Sequence, residues 1–174
     1  MSTCPVRMPA DRRHPRLEAN PITRGGMAMA DHNNARAARL PATPNPALKT
    51  LDRLVGTWEI TGSAFTGRTT FEWMEGGFFL IQRSTAQHNG VPITAVEYIG
   101  FDEDTQTLRS HAMDNRGSNF AYTWELDGDT LTVWFGDRGS DTYLKSTFSA
   151  DGHTSIGGWH WPTADGGTGG YVPP

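Results

Sequence analysis

Cysteine and lysine are both scarce in this chain of 174 residues: Cys4 is its sole cysteine, and two lysines stand against thirteen arginines. One cysteine excludes disulfides within the chain and cysteine-rich zinc sites. Apolar runs are short, and none approaches the roughly 18 residues that a helical membrane span requires. Paired metal ligands of the His-x-His or His-Glu-x-x-His kind are missing, as are a nucleophile elbow and a phosphate-cradling glycine loop. A net charge of -4 gives no electrostatic reason to bind nucleic acid. What the chain does have is glycine, 20 residues of it, with 11 prolines and 10% aromatics. The length suits one domain with a single core.

Charge divides the chain in two. Residues 1–45 carry Arg7, Arg12, Arg13, Arg16, Arg24, Arg36 and Arg39 against Asp11, Glu18 and Asp31, a net of +4, while the remainder is at -8. The first stretch is rich in Pro, Ala, Arg and Asn and holds no aromatic. Without an apolar period of 2 or 3.6 it buries too little surface to offset its ordering entropy, so residues 1–44 are expected to be a disordered basic tail. Several origins compete for it. An Arg-rich start resembles an organelle transit peptide, although Pro5, Pro9, Pro15 and Pro21 break any amphipathic helix. A secretory signal lacks its apolar segment. A translation start lying downstream, at Met27 or Met29, fits the arginine bias of a GC-rich coding sequence, and a flexible basic arm is the remaining reading. A cytoplasmic location is expected.

From residue 45 the text becomes structural, and 45–174 is expected to form the domain. Asn45-Pro46 is a helix start, with Asn as N-cap and Pro at the first helical position. Leu48, Leu51, Leu54 and Val55 follow at helical spacing, and Gly56 ends the run. Turn signals then recur every 8–12 residues or so, the pattern of an all-β sandwich or barrel. Strands are expected at 57–64, 68–74, 78–87, 92–100, 106–114, 118–126, 130–136, 143–149 and 154–161. Glu75-Gly76-Gly77, His88-Asn89-Gly90, Asp127-Gly128-Asp129 and Asp151-Gly152 supply the positive-φ residues of tight hairpins. Tight hairpins throughout mean strands that run up and down in sequence order, and such a meander closes on itself to remove its edges. The expected fold is therefore all-β: an antiparallel up-and-down barrel of nine to ten strands with one short N-terminal helix.

Alternation sorts the faces. Trp58 and Ile60, Phe71 and Trp73, Phe79 and Ile81, Phe120, Tyr122 and Trp124, then Leu131, Val133 and Phe135 each make a period-2 apolar row. In a barrel of this size such rings either fill the core or line a cavity for one small ligand. On the cavity reading Trp58, Trp73, Phe79, Tyr122, Trp124 and Phe135 line or floor the site. Arg83, sharing the row of Phe79 and Ile81, or His111, in mid-strand, supplies the polar anchor. A cation on an apolar face needs a partner or a ligand carboxylate, unless it reaches water at the strand end.

The opening Leu54-Val55-Gly56-Thr57-Trp58-Glu59 resembles that of the lipocalin-like (calycin) barrels, where the Trp packs across the closed bottom. Phe71-Glu72-Trp73-Met74-Glu75-Gly76-Gly77-Phe78-Phe79-Leu80, Tyr98-Ile99-Gly100-Phe101-Asp102, Leu126-Asp127-Gly128-Asp129 and Thr147-Phe148-Ser149-Ala150-Asp151-Gly152 extend the likeness. Over about 48–161 the chain resembles a bacterial family of calycin-like domains of unknown function, grouped with the nitrobindin-like haem-binding barrels. The resemblance implies a binding barrel. Its haem-binding branch implies one axial histidine on a late strand, which by position is His160. The end departs from the pattern: after Trp159-His160-Trp161-Pro162 the chain is glycine-rich and proline-ended, too short for a full strand. Closure beside the first strand is thus in question, and Trp134, Trp159, Trp161 and Tyr171 could form a patch on an open seam, inviting a homodimer through strand pairing.

Two carboxylates complete the candidates. Glu97 shares a row with Ile93, Ala95 and Ile99, and Asp114 one with Leu108, Ser110 and Ala112. Inside a barrel such a group has a raised pKa and can act as general acid or base. The leading expectation is a non-catalytic carrier of a small apolar or amphipathic ligand, with no cofactor or metal and neither nucleic acid nor membrane as partner. A haem-binding barrel through His160 and a small enzyme using a cavity carboxylate or histidine are the alternatives.

Overall fold

The computed structural model describes residue 35 and residues 37–62, 65–165 and 167–170. The basic stretch through residue 34, with Cys4, Met27 and Met29, lies outside the described residues, as does Tyr171. The compact unit that carries the sheet starts at Pro41.

Asn45 caps a helix at Pro46–Leu54 by accepting the Ala47 amide on Oδ1 at 3.0 Å. The helix is of the 3-10 type rather than α. Leu48, Leu51 and Leu54 recur every third residue, and at three residues per turn they line up on one edge. All three are buried, Leu51 completely.

Ten strands follow: β1 (Gly56–Ile60), β2 (Phe65–Trp73), β3 (Phe79–His88), β4 (Val91–Asp102), β5 (Thr107–Asp114), β6 (Asn119–Asp127), β7 (Thr130–Phe135), β8 (Tyr143–Phe148), β9 (Ser155–Pro162) and β10 (Thr168–Gly170). Each pairs antiparallel with the next, in sequence order. The turns have the expected chemistry; Asn89 and Gly90, for instance, sit at φ 50° and 79° between β3 and β4. The expected strands are all present with shifted ends, β1 stopping at Ile60 and β2 beginning at Phe65. The glycine-rich tail does form a strand, three residues long, against β9.

The sheet is a curled half-barrel, and β1 and β10 are its two edges, unpaired with each other. Its concave face holds the core. Phe71, Leu80, Ile99, Leu108, Trp124, Leu131, Val133 and Phe148 pack there with the three helix leucines, flanked by Trp58, Trp73, Phe101, Tyr122, Leu126 and Leu144. Two indoles tie the helix down. Trp58 Nε1 donates to the Leu54 carbonyl at 2.8 Å, and Trp73 Nε1 to Asp52 Oδ1 at 2.9 Å. Arg53 lies 4.2 Å from the centroid of the Phe148 ring and donates to the Gly128 carbonyl at 2.9 Å. The helix therefore stops one end of the half-barrel, and among the described residues the other end is open.

Candidate functional site

A belt of polar side chains crosses the concave face between the stopped end and the open end. The ladder registers set Thr69 of β2 opposite Ser84 of β3, Gln82 of β3 opposite Glu97 of β4, and Ile99 of β4 opposite Ser110 of β5. Thr69 and Ser84 share a hydrogen bond of 2.9 Å, and Gln82 Nε2 donates to Ser84 Oγ at 3.2 Å. Ser110 Oγ donates to Glu97 Oε1. Trp124 Nε1 donates to Ser110 Oγ at 2.9 Å and lies 3.3 Å from Glu97 Oε1.

Glu97 Oε1 thus receives two donors, whereas Oε2 receives none among the described residues. Glu97 is part-buried on the concave alternation, and among the described residues no buried side-chain polar atom is left without a partner, so Oε2 keeps some contact with solvent. Burial pushes the Glu97 carboxyl above its ordinary value, against the hydrogen bonds from Ser110 and Trp124 that pull it down. The Tyr122 hydroxyl beside it is pushed up to about 12, chiefly by burial and then by the negative charges of Glu97 and Asp114.

Beyond the belt, toward the open end, the concave face is aromatic. The Phe120 and Phe135 rings are 5.2 Å apart, Tyr122 meets Phe135 edge-on at 5.5 Å, and Tyr122 and Trp159 are 5.9 Å apart. Phe120 and Phe135 remain 42% exposed although their strands are paired on both sides, because no described residue stops this end as the helix stops the other. Ile93, Ala95 and Ala112 complete the surface.

Of the residues singled out by alternation, Trp58, Trp73, Tyr122, Trp124 and Phe135 lie on the concave face, the first two at the stopped end. Phe79, Arg83, His111 and His160 lie on the convex face. This corrects the expectation that the Phe79–Ile81–Arg83 row looks inward. Leu80, Gln82 and Ser84 take that side because the register pairs them with Trp73, Phe71 and Thr69. The Phe79 ring instead covers Gly100, 2.6 Å from where a Cβ would stand. Arg83 pairs with Glu72 at 3.2 Å and lines a shallow convex cleft of about 330 Å³ with Arg68, Thr70, Glu72 and Thr85. His160 stacks on Tyr143 with centroids 4.9 Å apart.

The proposed seam patch divides in the same way: Trp134 is convex, with Arg138 5.7 Å from its ring centroid, while Trp159 and Trp161 are concave. Asp114 caps its own turn, accepting the Arg116 amide at 2.8 Å and the Ser118 amide at 3.0 Å. The Ser118 side-chain hydroxyl first, then those two amides, hold its carboxyl below the usual range. Among the described residues no cluster of three His, Cys, Asp or Glu side chains could hold a metal ion. No helix among them is long and apolar enough to cross a membrane.

Residues 43–134 match the family described as "Protein of unknown function (DUF1579)". The chain belongs to that family. The DUF1579 match runs from just before the helix to Trp134 in β7, so it takes in Glu97, Ser110, Tyr122 and Trp124 but stops short of Phe135 and Trp159. No curated protein matches the chain. The sequence pattern alone does not bring Ser110, Ile93, Phe120 and Trp159 together on one face. The available signal was the polar residue at every crossing of one diagonal (Thr69, Gln82, Glu97, Ser110), which becomes visible only once the registers are known.

Proposed function

We propose that this DUF1579 domain binds a small apolar or amphipathic molecule, without catalysis, in the open half of its concave face. One observation carries the reading: Phe120, Tyr122, Phe135 and Trp159 form a contiguous aromatic surface beside a concave-side carboxylate oxygen that has no partner among the described residues. A core built only for stability would cover such rings, and exposed apolar surface next to a convergent polar group is what ligand sites offer. The position of Trp58 supports a calycin-like reading of the barrel. It packs across the stopped end against Phe148, centroids 5.9 Å apart, as the resemblance implies for that Trp. A catalytic reading rests on the same Glu97 carboxyl, whose raised proton affinity suits a general acid or base.

Titration with Nile red, a neutral apolar dye, tests the carrier reading through its fluorescence gain. Saturable binding at one dye per chain is expected. Phe135→Ala should weaken it about tenfold through lost apolar contact, whereas Ile156→Ala, on the convex face, should leave it unchanged. A linear, non-saturating response, or equal effects of the two variants, would sink the assignment.

A further inference from the structure

The charge on the concave face is of one sign. Every lysine and arginine within the strands, namely Arg68, Arg83, Arg109 and Lys145, occupies the convex alternation. Three of them are engaged there: Arg68 with Glu59, Arg83 with Glu72 and Arg109 with Asp137. The concave strand positions hold Glu97 and Asp114 and no lysine or arginine among the described residues; the one histidine in that alternation, His88, ends β3 at the rim beside Phe65. Arg116, on the exposed β5–β6 turn, acts on Asp114.

A ligand carboxylate entering this face would therefore meet Glu97 without a counter-ion. A protonated amine would meet Glu97 Oε2, which has no donor among the described residues, and the faces of Phe120, Tyr122, Phe135 and Trp159. Aromatic faces attract cations through their quadrupoles, and more strongly when water is excluded. Both groups favour the same ligand charge.

Resting on the binding site proposed above, we propose that its ligand class is an organic cation: an ammonium group held at Glu97 Oε2, with an attached aromatic or short aliphatic part among Phe120, Tyr122, Phe135 and Trp159. Fatty-acid-type anions are excluded by the same arrangement. Arg83, the anchor that a fatty-acid carrier would need, faces away from the site and is neutralised by Glu72.

Three ligands of one scaffold test this: phenethylammonium, phenethyl alcohol and hydrocinnamate, which place a cation, a neutral hydroxyl and an anion at the end of the same phenylethyl group. Each is titrated calorimetrically into the full chain at mildly alkaline pH. The ammonium should bind at least about tenfold tighter than the carboxylate, because a like charge at a desolvated carboxylate is costly. The alcohol should fall between them. Glu97→Gln, which keeps an acceptor for Ser110 and Trp124, should bring ammonium and carboxylate to within about twofold of each other, as expected when the charge term is gone. A wild-type ranking with hydrocinnamate equal to or above phenethylammonium overturns the proposal without any variant. So does a preference for the ammonium that survives in Glu97→Gln. The dye titration separates the two levels. Saturable Nile red binding without cation preference overturns the ligand class alone, and absence of dye binding removes the site itself.

Discussion

Glu97 on β4 and Trp124 on β6 meet across the intervening strand at the hydroxyl of Ser110. The indole N–H is 2.9 Å from Ser110 Oγ and 3.3 Å from the carboxylate oxygen that the same hydroxyl donates to. Three strands thus supply one small network, and its effect is to fix which carboxylate oxygen is occupied and which is free. Below it lies the apolar core stopped by the helix; above it lies the open aromatic surface. A carboxyl at that boundary is expensive to ionise, and the two donors only partly offset the cost. Retaining it there favours interaction over stability.

Glu97→Gln should therefore make the unliganded protein more stable at neutral pH. The folded state holds the Glu97 proton more tightly than the unfolded chain does, so this group's contribution to stability is complete below the unfolded carboxyl range. It is lost as pH rises through the raised folded value. Asp114, held low by its turn, stays ionised throughout that window, and Tyr122, pushed up to about 12, stays neutral. The variant has no such loss. Thermal melts from mildly acidic to neutral pH should show wild type falling relative to Glu97→Gln, with the variant ahead by about 2–4 °C if the difference is near 1 kcal/mol. Parallel curves would show that burial of this carboxyl carries no linkage.

Trp124→Phe should act on the carboxyl in the opposite sense to a simple loss of packing. It removes the indole donor to Ser110 Oγ and Glu97 Oε1 while leaving an aromatic ring in the core. A hydrogen bond to the ionised form lowers a carboxyl pKa, so its loss should raise the Glu97 value further. Carbon-13 NMR titration of the Glu97 carboxyl reads this directly. The accompanying destabilisation should be about 1–3 kcal/mol, the cost of leaving buried polar partners unmade. An unchanged or lowered Glu97 titration would mean that the network does not hold the carboxylate.

Much of the architecture was legible in the sequence because the turns are chemically explicit. Asn89-Gly90 adopts the two positive φ values that its residues favour, and tight turns dictate a meander. The faces were harder. In β3 the row of Phe79 and Ile81 looks as apolar as that of Leu80 and Ala86, and only the pairing of Leu80 with Trp73 decides which one enters the core. That single step moved Arg83 from the cavity to the surface. His111 shares its fate because Ser110 and Ala112 take the concave side of β5. The helix was legible in position but not in pitch: leucines three apart suit a 3-10 winding on a flat floor better than an α-turn. Glu97 stood out from its apolar row, yet its partners are 13 and 27 residues away and depend on two ladder registers.

Leu51→Ala should test whether the helix is a structural stopper. Leu51 is fully buried where the helix meets the concave floor, so its truncation leaves a cavity costing about 2–5 kcal/mol. Chemical denaturation should report that loss. Because Trp58 and Trp73 are bonded to the helix through Leu54 and Asp52, their near-ultraviolet circular dichroism should weaken before the sheet melts. Nile red binding at the open end should persist in the folded fraction. Concerted loss of all three signals would mean that helix and open half form one cooperative unit.

Gly157→Ala should expose how closely β9 lies on β8. A Cβ at Gly157 would land on the Lys145 carbonyl oxygen and the Ser146 Cα, both backbone atoms that no rotamer change can move aside. Glycine within a strand marks such close approach. The register sets Gly157 opposite Ser146, two residues before Trp159 on the same concave row, so relief requires β9 to shift away from β8. The displacement carries Trp159 away from Tyr122, whose ring centroid lies 5.9 Å from it. The variant should therefore weaken dye binding as well as stability, whereas Gly128→Ala, at a turn remote from the open half and with nothing within 4 Å of its Cβ, should cost stability through its positive φ alone. Equal retention of dye affinity in the two variants would show that Trp159 does not belong to the binding surface.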